Sequence, residues 1–208
     1  MRTELLWVVI LAIMGVLYAH NGCKQYRLYN NGNNMNFTKF LIEYNYSYGQ
    51  DNYVLYVSTS GGNNDTRRCS WTKSANYTTK DYTGTFFQRG HLVPYADYGP
   101  CTCTLYNAVP MYPKFNDGIW KKYEDYVRKH YAGNLIIKGC KYNPSIFITT
   151  PTHKILYVPL GCYFIVTDLK ELVSDKKFGI VDYGYLINSP LSNNTILYKE
   201  LPWWILTA

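Results

Sequence analysis

The chain reads as an α+β domain whose core is a mixed or antiparallel sheet. Two patterns lead there. Short apolar runs with strand-like alternation recur along the sequence, and one strongly amphipathic helical segment sits in their midst. A length of 208 residues suits one domain with a real core. A content of 47% apolar and 17% charged residues is a globular composition and excludes a disordered chain. No internal repeat or heptad is present.

The elements follow in order. Residues 1–19 read as a signal peptide. The apolar run Leu5 to Ala19 follows Arg2, and it is shorter than the roughly 20 residues a membrane span needs. Cleavage near Ala19 or Asn21 leaves residues 20–208 as a single secreted domain with no stable membrane partner; an uncleaved anchor is the competing reading. Residues 21–36 are polar and read as a loosely held lead-in. Tyr53 to Ser58 is a strand, Gly61 to Asp65 a turn, and residues 66–88 are loop-rich. Phe86 to Leu92 and Thr104 to Val109 are two short strands around a connection rich in Pro, Gly and Cys. A helix runs from about 117 to 131, with Ile119, Trp120, Tyr123 and Val127 at helical spacing. Asn116 is placed as its N-cap, Asp117 suits its first turn, and Gly133 and Asn134 end it. Strands are expected at Leu135 to Lys138, Ser145 to Thr149, Ile155 to Val158 and Tyr163 to Val166. One or two more fall within Phe178 to Asn188, and a short helix near Leu169 to Val173. Few other helices are expected.

Six cysteines, Cys23, Cys69, Cys101, Cys103, Cys140 and Cys162, all follow the apolar run. An even count in a secreted chain reads as disulfides, with the pairing left open. Cys101-Thr-Cys103 lacks the second ligand pair of a structural zinc site and reads as two separate disulfide halves. N-x-S/T sites at Asn36, Asn45, Asn64, Asn76 and Asn193 mark a glycoprotein if they are used. The net charge is +7, with 21 basic and 14 acidic residues, which favours polyanionic partners such as nucleic acid or an acidic membrane surface. The 23 tyrosines reflect mostly compositional drift, though a minority can stack on bases.

Several residues around the central helix carry chemistry. His91 ends one strand and Asn107 sits on the next, while Asn116, Glu124 and Arg128 lie along the helix. Histidine is the natural base near neutral pH. Gly90 beside it permits close approach of a phosphate or an unusual backbone angle. Arginines such as Arg89 and Arg128 match phosphate oxygens. Asn and Glu oxygens suit Mg²⁺. These are parts for phosphodiester hydrolysis. Each also has a plainer reading: a structural histidine, a helix cap at Asn116, and a surface pair between Glu124 and Arg128 at i, i+4.

The motifs gather into one pattern. Asp81-Tyr82-Thr83-Gly84 leads to Arg89-Gly90-His91-Leu92, then Tyr106-Asn107-Ala108-Val109-Pro110, then Phe115-Asn116-x-x-x-Trp120-x-x-x-Glu124-x-x-x-Arg128. This order and spacing resemble the DNA/RNA non-specific endonuclease family, which has the ββα-metal fold. Weaker similarity includes Ile136-Ile137-Lys138-Gly139, Tyr157-Val158-Pro159, Tyr185 to Asn188, and Arg67 ahead of Cys69 and Trp71. The resemblance spans roughly residues 40–190 and is strongest over 81–128.

The resemblance implies a ββα-metal motif made of two strands plus the helix from about 117 to 131. It implies a secreted, Mg²⁺-dependent endonuclease, with Mn²⁺ as the alternative ion, that hydrolyses DNA and/or RNA without regard to the sugar. His91 would be the general base that deprotonates water. Asn116 would be the direct ligand of a single ion, and Glu124 would hold water in its shell. Asn107 would fix His91 or that shell. Arg67, Arg89 and Arg128 would bind phosphate or offset transition-state charge, and the product would carry a 5′-phosphate. A homodimer is a further expectation. A neutral His91 predicts activity that falls in acid, near the ordinary histidine pKa of about 6.5. Two positions depart from the family pattern: Gln88 stands where Asp is usual, and Met111 where Gln follows the proline. As groups behind the ligands they would lower rate or metal affinity. They motivate a second reading, a catalytically weak relative that binds nucleic acid. A third is a secreted glycoprotein with a receptor-binding or structural role.

Overall fold

The computed structural model describes residues 25–27, 34–37, 40–46, 48–60, 69–169, 171–172 and 179–191. The signal-peptide segment, the turn at residues 61–65 and Arg67 lie outside the described residues. The fold is α+β, as expected, and among the described residues the named strands all pair antiparallel.

Seven strands form the main sheet in the order β1 (Gln25–Arg27), β2 (Asn34–Phe37), β3 (Phe40–Asn45), β4 (Gln50–Val57), β7 (Leu135–Thr149), β8 (Ile155–Thr167), β9 (Ile180–Ile187). A separate two-stranded ribbon joins β5 (Gln88–His91) to β6 (Ala108–Met111). A π-helical turn (Phe115–Trp120) then leads into helix α1 (Lys121–His130). Ribbon and helix together make the ββα unit.

Alternation assigns the faces. On β3, Phe40, Ile42 and Tyr44 point to one side and Leu41 to the other; on β4, Val54 and Tyr56 oppose Leu55. The first face receives the ββα unit through Val109, Met111, Phe115, Trp120 and Val127, all buried. Leu41, Leu55, Leu135 and Leu172 form a smaller cluster on the opposite face. The ββα unit is thus laid on one sheet face by apolar burial, which contributes roughly 1.5–3 kcal/mol per large side chain.

Several boundaries differ from the sequence expectation. The polar lead-in contains two strands, β1 and β2, that extend the sheet edge by backbone pairing. Leu105–Asn107 is a 3-10 turn, so the second ribbon strand begins only at Ala108. The two strands expected on each side of Pro144 are one strand, β7, with register irregularities at Lys141/Tyr142 and Tyr142/Phe147. Asn143 Oδ1 accepts from Ser145 N at 2.9 Å across the proline, which donates nothing itself. Likewise β8 runs unbroken through Pro159.

The two cysteines of the C-x-C motif go to separate bonds. Cys103 pairs with Cys69, Cys140 pairs with Cys162 across β7 and β8, and Cys101 is disulfide-bonded as well.

Candidate active site

β5 presents Arg89, Gly90 and His91 opposite Pro110, Val109 and Ala108 of β6. Gly90 is required by packing. A Cβ there would run into the buried Met111 side chain across the ribbon. The space expected for a phosphate is filled by that methionine. Met111 is fully buried and packs across the ribbon against Gly90 as a core residue.

His91 is clamped from several sides. Its backbone carbonyl accepts from Trp120 Nε1 at 3.0 Å, which ties β5 to the start of α1. The Trp71 ring lies 4.6 Å from the imidazole between centroids, and His91 Nε2 faces Cys69 Sγ at 3.6 Å. Arg89 extends over Trp71, 5.3 Å from its centroid. Burial, with the charges of Lys138 and Arg89, pushes the His91 pKa down to about 3.

Asn107 is fully buried. Its Oδ1 accepts from Val93 N at 2.8 Å, and its Nδ2 donates to Val93 O at 2.9 Å and Thr102 O at 3.1 Å. Its backbone carbonyl accepts from Leu92 N at 3.3 Å. Two of the three side-chain bonds hold Val93, two residues after His91, and the third ties in Thr102, so the Asn107 side chain meets the backbone beyond His91 and not its ring.

Asn116 does not cap a helix. It lies inside the π-helical turn, whose N-cap is Lys114, and Gly118 there has non-helical angles of φ −96°, ψ −106°. That kink turns the Asn116 side chain toward β5, where its Nδ2 donates to Gln88 Oε1 at 2.7 Å. Gln88 Nε2 in turn donates to Asp117 Oδ2 at 2.8 Å.

Further along α1, Glu124 Oε1 accepts from Lys138 Nζ at 3.0 Å, with side-chain exposures of 15% and 3%. Lys138 also stands over Trp120 at 4.8 Å and Tyr56 at 5.4 Å. Burial pushes the Glu124 carboxyl up against the pull of Lys138, and pushes the Lys138 ammonium down. Arg128 is held by carboxylates: NH1 meets Asp125 Oδ1 at 2.9 Å and Nε approaches Asp97 Oδ1 at 3.4 Å. Asp97 also accepts from Thr59 N and Oγ1.

A match to the pattern described as DNA/RNA non-specific endonuclease extends over residues 19–203. The chain belongs to that family. It is a nuclease with the ββα-metal fold. A chain of the solved EndoG/EndoGI complex, described as giving the mechanism of EndoG inhibition, superposes with a TM-score of 0.62 at 17% identity. The superposition covers 94% of this chain and 88% of that one. No curated protein matches the sequence.

The nuclease's donor set fits a hard divalent ion. Asn116 has its nitrogen committed to Gln88, which leaves Oδ1 as a carbonyl donor with no protein partner among the described residues. Glu124 keeps one oxygen beyond Lys138. Among the described residues, one grouping of His, Cys, Asp or Glu side chains converges closely enough to hold an ion: Cys69, His91 and Cys103. It does not fit: the two sulfurs are bonded to each other, and a disulfide offers no thiolate.

Sequence reading missed Lys138 and Asp97 as the partners of Glu124 and Arg128, Trp71 as the ring against His91, and the bond from Gln88 to Asp117. Lys138 carried a usable signal, a lone charge at the end of the apolar run Leu135 to Ile137. Asp97 carried none.

Proposed function

We propose that the protein is a secreted, Mg²⁺-dependent endonuclease that cuts DNA and RNA irrespective of the sugar, with His91 as base and Asn116 as the ion's ligand. The observation that carries this reading is the double lock between β5 and the helix: Trp120 to the His91 carbonyl, and Asn116 to Gln88. Base and ligand share one rigid motif. The disulfides support an oxidising compartment.

In this reading His91, neutral because of its burial, removes a proton from water as the water oxygen bonds to phosphorus. The P–O3′ bond breaks, the leaving oxygen gains a proton from solvent, and the imidazolium returns its proton to solvent. A 5′-phosphate remains on the product. When bound, Mg²⁺ or Mn²⁺ offsets charge on the phosphoryl and leaving oxygens. Arg89, carried two residues before the base, offers a cation to a neighbouring phosphate, and Arg67 takes the same role. Arg128, paired to Asp97 and Asp125, balances the charge around Glu124. The disulfide-bonded protein lacking residues 1–19 is expected to degrade both plasmid DNA and RNA in Mg²⁺, leaving 5′-phosphate ends. Salt-sensitive binding without cleavage would instead establish the weak relative.

The low His91 pKa moves the expected acid limit. Above pH of about 3 the folded histidine is already neutral, so its protonation does not begin near 6.5. A pH–rate profile is expected to run through pH 6.5 without a histidine inflection and to decline only in stronger acid. An inflection near 6.5 would mean that Trp71 and the disulfide leave the ring hydrated. Stability also falls in acid, but over a higher pH range. The unfolded chain takes up a proton near 6.5 and the folded chain does not, so the His91 contribution is lost as pH falls from about 6.5 toward 3.

A further inference from the structure

We infer that Gln88 and Asp117 are positioning residues that fix which end of the Asn116 amide faces a metal ion. This rests on the proposed role of Asn116 as ligand. The logic follows from donors and acceptors alone. An Asp carboxylate only accepts. Asp117 Oδ2, 2.8 Å away, therefore takes the Gln88 amide nitrogen. Gln88 is left with Oε1 toward Asn116, at 2.7 Å, and an oxygen there takes only the Asn116 nitrogen. Asn116 Oδ1 is thereby turned away from β5 as a free carbonyl oxygen.

The direction matters because an amide bound the other way round would present an NH₂ group to the cation. A carboxylate at position 88 would impose the correct direction by itself, since both of its oxygens accept. An amide at 88 has two possible faces, and Asp117 chooses between them. Asp117 can do so because the π-helical turn and the Gly118 kink bring consecutive residues 116 and 117 to the same partner. In this chain Gln88 is a working replacement with its own counterpart.

The test is Mn²⁺ binding to the full disulfide-bonded protein, followed by electron paramagnetic resonance and calorimetry, with melting temperature as a check on folding. Gln88→Met keeps size and neutrality but removes the acceptor. It is expected to weaken Mn²⁺ binding by about tenfold or more at unchanged melting temperature. Gln88→Glu, made together with Asp117→Asn so that a donor rather than a second carboxylate faces position 88, restores an acceptor toward Asn116 and is expected to bind at least as tightly as the parent. Asn116→Ala is expected to lose the site and separates the two claims. If Asn116→Ala binds Mn²⁺ like the parent, or the parent binds none, the ligand assignment fails. If Asn116→Ala loses the ion while Gln88→Met keeps it, or Gln88→Met and the double variant Gln88→Glu with Asp117→Asn lose it equally, the positioning role is overturned and the ligand stands.

Discussion

His91→Ala is expected to lower phosphodiester cleavage by about 10²–10⁴-fold, the usual worth of a positioned general base. The loss should fall on kcat rather than on substrate binding, because the imidazole moves a proton and Arg89 beside it holds charge. The fold should survive. The His91 backbone carbonyl, not its ring, carries the bond from Trp120. The strand pairing to Ala108 is also a backbone contact. Circular dichroism and Mn²⁺ binding should therefore match the parent while single-turnover cleavage collapses. A variant that cuts within a few-fold of the parent would remove His91 from the chemistry. A variant that loses both cleavage and near-ultraviolet signal would instead show the ring supporting Trp71 and the Cys69–Cys103 disulfide.

Lys138→Met should be the most destabilising single change near the site. The ammonium is 3% exposed and 3.0 Å from a Glu124 carboxylate that is 15% exposed. Removing one partner of a buried pair leaves the other charge without compensation, at a cost of about 3–5 kcal/mol. Methionine keeps the stem and its packing, so the loss is electrostatic. The pH dependence identifies it. Burial already pushes the Glu124 carboxyl up, and without Lys138 it rises further. A folded carboxyl with a raised pKa binds more protons than the unfolded one, so stability falls as pH rises through that range. Urea denaturation should show a larger deficit at pH 8 than at pH 5. A deficit below about 1 kcal/mol at pH 8 would mean the pair is solvated, as surface pairs are.

Much of the site is legible in the amino-acid sequence, and the reason is local. Arg89-Gly90-His91, Asn107, Asn116, Glu124 and Arg128 lie on one short ribbon strand, the turn that enters its partner, the π-helical turn and the helix that follows, all within some forty residues. The burial of the helix is legible for the same reason: Trp120 and Val127 keep helical spacing and both are in the core. What stays hidden depends on partners distant in sequence or on backbone exceptions. Lys138 belongs to β7, and only the sheet places it under α1 against Glu124. Asn116 looks like a cap because Asn before a helical run usually is one; the non-helical Gly118 redirects it to Gln88. Met111 looks like a missing site residue, yet it fills the space that Gly90 leaves. The expected pairs of short strands are instead the single long strands β7 and β8, whose pairing shifts register on both sides of the Tyr142–Pro159 partners and so accommodates Pro144 and Pro159. Arg67 is outside the described residues, so its place rests on the motif alone.

The most direct measurement is a metal titration of cleavage. Protein stripped with EDTA is given plasmid DNA or RNA, and Mg²⁺ is added back in steps. No cleavage in EDTA, with a saturable return of activity on both nucleic acids as Mg²⁺ rises, is the expected result. Cleavage that persists at full rate in EDTA, or none at any Mg²⁺ or Mn²⁺ concentration, would contradict a metal-dependent nuclease built on His91 and Asn116.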